Sequence, residues 1–198
     1  MGWVVKAALG VTLALVATEF VVGKLAHSLA LISDGWHNLT DVPTLILSWM
    51  ALYFERRPPD HHKTFGYQRA GVLAAFVNAC LVIGVALFIC YEGYERIVRP
   101  APLSSRGMLW VGILALVING GISLSMAPGR GDLNLRAVFI HNLGDALSNL
   151  AIIGGAWLIH RTGRTLFDPL VAFLIAGMIV WTGLDIIIDS ANILLESL

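Results

Sequence analysis

His37 and Asp41 lie four residues apart in one apolar stretch, and His141 and Asp145 repeat that spacing in another. Both stretches spell the same phrase, His37-Asn38-Leu39-Thr40-Asp41 and His141-Asn142-Leu143-Gly144-Asp145. On a helix, residues at i and i+4 stack on one face about a turn apart. Two such helices facing each other offer two imidazoles and two carboxylates to one point. That is a complete set of ligands for a tetrahedral divalent ion such as zinc. Imidazole nitrogen favours zinc and its neighbours over magnesium or calcium, which prefer all-oxygen shells. A single H-x-x-x-D serves equally well as a hydrogen bond within one helix. The repetition of the whole phrase favours the metal.

The elements that carry these residues are greasy. Hydrophobic residues make up 57% of the 198-residue chain, charged residues only 13%, and the mean hydropathy is +0.78. Such a composition excludes an ordinary soluble domain and predicts an integral membrane protein. A formal net charge of zero gives no electrostatic support to a nucleic-acid partner. Six apolar segments, near 3–22, 29–54, 70–98, 103–126, 135–159 and 166–188, approach or exceed the roughly 20 residues that cross a bilayer core. The expected fold is therefore all-α, a polytopic bundle of six transmembrane helices forming a single domain over residues 1–198. The first segment is long enough to span and lacks a small-residue cleavage site, so no cleavable signal is expected.

Polar breaks separate the segments. Pro58 and Pro59 sit in the most polar stretch, from Glu55 to Lys63; Pro100 and Pro102 follow the third segment, and Pro128-Gly129 follows the fourth. Asp168-Pro169 has the form of a helix N-terminal signal for the sixth. Six spans put both termini on one side. With that side cytoplasmic, inside loops hold seven Lys and Arg against six outside, a slender use of the positive-inside rule.

Asp41 and Asp145 lie deep within their segments. An aspartate at mid-bilayer costs about 2.5–3.5 kcal/mol on insertion scales, so the pair asks for about 5–7 kcal/mol and should face the bundle interior. One divalent cation neutralises both charges. Glu19, inside the first segment, is a second anomaly and points to a cavity-facing or proton-linked role. Asp34 shares the face of His37 and Asp41 and suits either an outer carboxylate near the site or an N-cap of the second segment. Asn38, Asn142 and Asn149 suit hydrogen-bond donors to the ligands or, the favoured reading, interhelical hydrogen bonds, and Asn78 and Asn119 suit the latter. Cys80 and Cys90 form no C-x-x-C pattern and fit small buried hydrophobes. Asp60, His61 and His62 form an exposed cluster of metal-capable residues, and Asp185 with Asp189 fits the polar end of the last helix.

No G-x-x-x-x-G-K-[ST] occurs, so nucleotide-driven transport has no support. A buried ion site in a helical bundle without such a motif suggests secondary transport. Histidine and aspartate bind metal only when deprotonated, so protons compete with the ion for the same atoms and can drive exchange. A membrane metalloenzyme is the rival from another class, but catalytic zinc keeps an open position that four protein ligands would fill. A structural zinc clamp is a third reading.

The sequence resembles the transmembrane part of the cation diffusion facilitator family, especially its zinc-exporting branch. The resemblance runs along nearly the whole chain. It includes Ser28-Leu29-Ala30-Leu31-Ile32-Ser33-Asp34 before His37, Thr64-Phe65-Gly66-Tyr67 before Arg69, and Tyr91-Glu92-Gly93-Tyr94-Glu95-Arg96. It continues through Asn134-Leu135-Arg136-Ala137, Asp168-Pro169-Leu170-Val171 and Ser190-Ala191-Asn192-Ile193-Leu194-Leu195-Glu196. The resemblance implies a transport site of His37, Asp41, His141 and Asp145, not an enzyme. It implies Zn2+ as transported substrate, with Co2+, Cd2+, Ni2+ or Mn2+ as alternatives, exchanged for protons by alternating access. It further implies a homodimer in a lipid bilayer, the bacterial inner membrane, with both termini cytoplasmic. Two departures stand out. The family's C-terminal cytoplasmic metal-binding domain is not expected within these residues. Lys63 and Tyr67 occupy the positions where many members carry the histidines of a secondary loop zinc site.

Overall fold

The computed structural model describes residues 2–40, 42, 66–125 and 133–195, and every regular element among them is helical. In chain order these are α1 (Gly2–Ala26), α2 (residues 29–40), α3 (Gly66–Val98), α4 (Ser105–Ser125), α5 (Leu133–Thr162) and α6 (Phe167–Leu195). The fold is all-α and polytopic. Stretches long and apolar enough to cross a membrane run over Leu9–Ala26, Ala75–Val98 and Phe167–Ile193, with a shorter apolar helix at Ser105–Gly121. Several helices outrun the apolar segments marked from sequence, α3 at its start and α5 at both ends, because a helix continues into polar residues once the bilayer core is crossed. The loop cluster Asp60, His61 and His62 and the departure at Lys63 lie outside the described residues; Tyr67 lies in the first turn of α3, its side chain outside the described part.

The end of α1 is set by local chemistry. His27 takes a left-handed backbone with φ of 55°, unusual for a residue with a side chain. The Ser28 amide then bonds back to the Gly23 carbonyl at 2.8 Å and the His27 amide to Lys24 at 3.3 Å. This paired closure satisfies carbonyls that the helix end would leave bare. Ser28 next caps α2, its Oγ accepting from the Leu31 amide at 3.2 Å. The α1–α2 connection is therefore only His27 and Ser28, and it forces an antiparallel hairpin. Gly23 and Gly35 let the two backbones approach: a Cβ at Gly23 would meet Ile32 at 3.0 Å, and one at Gly35 would meet Glu19 at 3.3 Å.

Among the described helices α3 packs along α6, α4 along α5, α1 against α4, and α5 against α6. The apolar core joins Leu29, Ala30 and Leu31 of α2 to Ala86 and Ile89 of α3, Met108 of α4, Ile152 of α5 and Ile175 of α6. Outward faces are just as apolar: Leu25, Trp110 and Trp181 are each more than 70% exposed. In a bilayer that surface meets lipid instead of water. Cys80 is exposed and Cys90 half-buried, so the sequence expectation of two buried cysteines fails for Cys80. On an all-round apolar helix an outward cysteine sits in lipid as comfortably as in a core. Asp185 and Asp189 are exposed, as the polar end of α6 requires.

The α3–α6 contact is tight at Gly93, where an added Cβ would lie 2.5 Å from Phe173 Cε1 and 2.9 Å from its Cζ. Gly93→Ala is expected to lower thermal stability in detergent, by about 1–3 kcal/mol for an overpacked contact. The same substitution in a Phe173→Ala background should cost much less. Equal losses in both backgrounds would remove Phe173 as the cause.

Candidate metal centre

The two H-N-L-x-D phrases fall on α2 and α5, two helices that reach each other across the bundle interior. His37 Nε2 lies 3.1 Å from Asp145 Oδ1, and both residues are 5% exposed. The first residue of one phrase therefore meets the last residue of the other. Zinc bonds of about 2.0–2.2 Å in a tetrahedral shell set neighbouring ligand atoms about 3.3 Å apart. The observed separation is within a few tenths of an ångström of that edge. It also equals an ordinary hydrogen bond when Nε2 carries the proton. His141 lies on α5 one turn before Asp145, with its side chain outside the described part, and Asp41 lies outside the described residues altogether. The structure thus brings together one ligand candidate from each phrase.

Around this contact the helices bury more polarity than lipid would tolerate. Glu19 of α1 is fully buried, and the Asn38 amide donates to both of its oxygens, at 2.9 and 3.0 Å. Glu19 faces the bundle interior, as its position in an apolar segment predicts, and Asn38 serves as an interhelical hydrogen bond. Asp34 is 1% exposed, approaches Glu19, and its Oδ2 has no hydrogen-bond partner among the described residues. The alternative of Asp34 as an N-cap fails, because α2 starts at residue 29 and Ser28 occupies the cap. Asn149, one turn beyond Asp145, is fully buried with both side-chain polar atoms unpartnered among the described residues; Asn119 Nδ2 is likewise unpartnered. Asn149 thus makes no interhelical bond of the kind expected of it among the described residues.

A cavity of ≈ 50 Å³ adjoins His37 between α2, α3 and α6. Thr40, Asn78 and Thr182 supply its polar lining, with Val82 and Ile179 among the apolar walls. One water needs about 10–15 Å³ by this kind of measure, so the space admits a few waters beside the imidazole. Asn78 therefore faces a cavity, a role that its spacing on α3 did not reveal. Thr182 was not singled out from sequence either; a threonine on an apolar helix gives no signal by itself.

One further carboxylate does something unforeseen. Asp168 lies in the first turn of α6, yet its side chain caps α2: Oδ1 accepts from Ser28 Oγ at 2.6 Å, and Oδ2 from the Leu29 amide at 2.7 Å. Oδ1 also lies 3.2 Å from the Ala30 amide, and Arg96 Nη1 of α3 approaches Oδ2 at 3.6 Å.

Comparison with known proteins gives a consistent pattern. Residues 5–195 match the cation efflux transmembrane domain family. The chain is 37% identical over 192 residues to the metal cation efflux system protein CzcD of Cupriavidus metallidurans, covering 96% of this chain and 61% of that protein. It is 36% identical over 191 residues to the zinc transporter ZitB of Escherichia coli, covering 96% of this chain and 61% of that one. A cadmium, cobalt and zinc/H(+)-K(+) antiporter of Bacillus subtilis is 35% identical over 181 residues, 90% of this chain and 58% of its own length. The chain thus spans about three fifths of the length of these relatives.

Proposed function

The chain belongs to the cation efflux family, and from that membership we propose that it moves divalent metal cations across a membrane, zinc foremost, in exchange for protons. The observation that carries this reading is the 3.1 Å approach of His37 Nε2 to Asp145 Oδ1, which joins the two repeated phrases at one buried point. His37, Asp41, His141 and Asp145 are the proposed ligands. Their two carboxylates offset the charge of a divalent ion, and the imidazoles complete the shell without adding charge.

The same contact supplies the coupling. With Nε2 protonated, a hydrogen bond bridges His37 and Asp145; with Nε2 bare, an ion takes the place of that proton. Proton and metal compete for one pair of atoms, so a proton gradient becomes a metal gradient when the site is exposed to each side in turn. The sign follows from ligand chemistry: acid on the side that receives the metal promotes release, and acid on the loading side opposes binding. The cavity beside His37 supports access to the site from one direction, with Thr40, Asn78 and Thr182 replacing part of the ion's water. The names of the relatives cited above, which include zinc, cadmium and cobalt among their ions, support a substrate among the late divalent transition metals. Membership in a homodimer and residence in a bacterial inner membrane with cytoplasmic termini remain part of the same proposal.

The test is Zn2+ flux in sealed proteoliposomes under an imposed pH gradient. Flux is expected to accelerate when the receiving side is acidic, and to fall by about tenfold or more when an ionophore collapses the gradient. Zinc movement indifferent to the gradient would remove proton exchange. No movement with zinc but movement with Co2+ or Cd2+ would change the substrate and leave the site.

A further inference from the structure

Three helices line the cavity beside His37, and its hydroxyl groups share one property. Thr40 Oγ1 of α2 donates its proton to the His37 carbonyl at 2.6 Å, and Thr182 Oγ1 of α6 donates to the Met178 carbonyl at 3.1 Å. A hydroxyl has one proton and two acceptor lone pairs. With both protons committed to their own helices, the two threonines have only lone pairs left to offer the cavity. Asn78 of α3 adds an amide oxygen to the same lining. Three oxygens on three helices therefore border a space whose other walls, Val82 and Ile179 among them, are apolar. Such a lining receives a cation.

The cavity has a mouth and a floor. Thr182 is exposed, whereas His37 is buried. An ion that enters past Thr182 meets the imidazole last. The ≈ 50 Å³ of space holds about three to five waters. A divalent ion in bulk water carries about six in an octahedral shell. The ion must therefore shed water before it reaches His37 Nε2. Stripping that shell costs more for a smaller ion of the same charge, because its field on the water is stronger. Oxygens fixed along the way lower the cost, as backbone carbonyls do in channel filters.

We propose that Asn78 and Thr182 are specificity-determining residues: they replace part of the hydration shell during passage to His37, and so favour a tightly hydrated ion such as Zn2+ over a larger one such as Cd2+. They touch the ion in passage and not in its final shell. Loading and unloading rates then depend on them, and the equilibrium affinity does not. This inference rests on the transport reading above.

The experiment compares Zn2+ and Cd2+ flux in proteoliposomes under one fixed pH gradient, with equilibrium Zn2+ binding to the same preparations in detergent. Asn78→Leu is expected to slow Zn2+ by about tenfold and Cd2+ by about threefold or less, so that the ratio of the two rates falls. Thr182→Val, which keeps the shape of threonine, should lower that ratio by about twofold or more, and Thr182→Ser should restore it. Zn2+ affinity should stay within about twofold in every variant. Equal proportional losses for both ions overturn the inference, and so does flux of both at the parent rate. Zn2+ affinity weakened by about tenfold or more also overturns it, because the residue would then belong to the final shell. If Asn78→Leu does not fold, the near-isosteric Thr182 variants decide by the same criteria. A parent protein that carries neither ion overturns the transport reading, and this inference with it.

Discussion

Replacing Asp145 with alanine is expected to bring Zn2+ flux down to the level of protein-free liposomes while leaving the fold as stable as before, or slightly more so. Both halves follow from where the carboxylate sits. Asp145 is 5% exposed on an otherwise apolar helix and approaches His37 at 3.1 Å. As the proposed ion ligand it would supply one of two negative charges to a divalent cation. Loss of a neighbouring hydrogen-bond partner alone costs about 10–100-fold in metal affinity, so loss of a charged ligand should cost at least that much. Bilayer insertion, in contrast, charges about 2.5–3.5 kcal/mol for an aspartate at mid-depth, and alanine removes that burden. Isothermal titration with Zn2+ and thermal unfolding of the same preparation measure the two halves together. Weak binding with intact melting supports a ligand. Normal binding with lowered melting would make the contact with His37 structural and dissolve the site.

Glu19→Leu is expected to lower stability through a buried donor left without acceptors. The substitution strips the Asn38 amide of both acceptors, at 2.9 and 3.0 Å, in a place sealed from water. A buried donor left without a partner costs about 1–3 kcal/mol, whereas removing both partners together is nearly neutral. Glu19→Leu with Asn38→Leu should therefore recover most of what Glu19→Leu loses. Any remaining deficit reports on Asp34, which approaches Glu19 from α2. The comparison is a double-mutant cycle on unfolding in detergent. Additive losses would mean that Asn38 finds no significant partner in Glu19.

The meeting of the two phrases at His37 and Asp145 was legible in the sequence because two physical signals coincided there. Carboxylates are rare inside apolar spans, and the four-residue spacing of H-N-L-x-D sets which face they share. The same reasoning turned Glu19 inward. Asp168 shows the limit: its neighbour Pro169 and its place before an apolar run mark a helix start, and nothing local says that its side chain serves α2 instead. Spacing along one helix carries no information about its height against another. Cys80 shows a second limit. In water, an apolar stripe names the buried face of a helix; in lipid the outward face is apolar too, as Trp110 and Trp181 demonstrate. Only polar residues then report direction, and α3 has few of them, so the cavity contact of Asn78 passed for a packing contact.

The hairpin of α1 and α2 has a consequence for biosynthesis. A chain made from its N-terminus delivers Glu19 to the membrane before Asn38, with only His27 and Ser28 between the two helices. Neither helix is an easy passenger alone, since α1 carries a carboxyl group and α2 carries Asp34 and His37. Folded back on one another, the two satisfy Glu19 at once, and the insertion machinery receives a pair whose polar side is already turned inward. Asp145 arrives 108 residues after His37 and meets it across the bundle. The α1–α2 hairpin is thus made before α5 and offers a preformed polar face to the helix that carries Asp145.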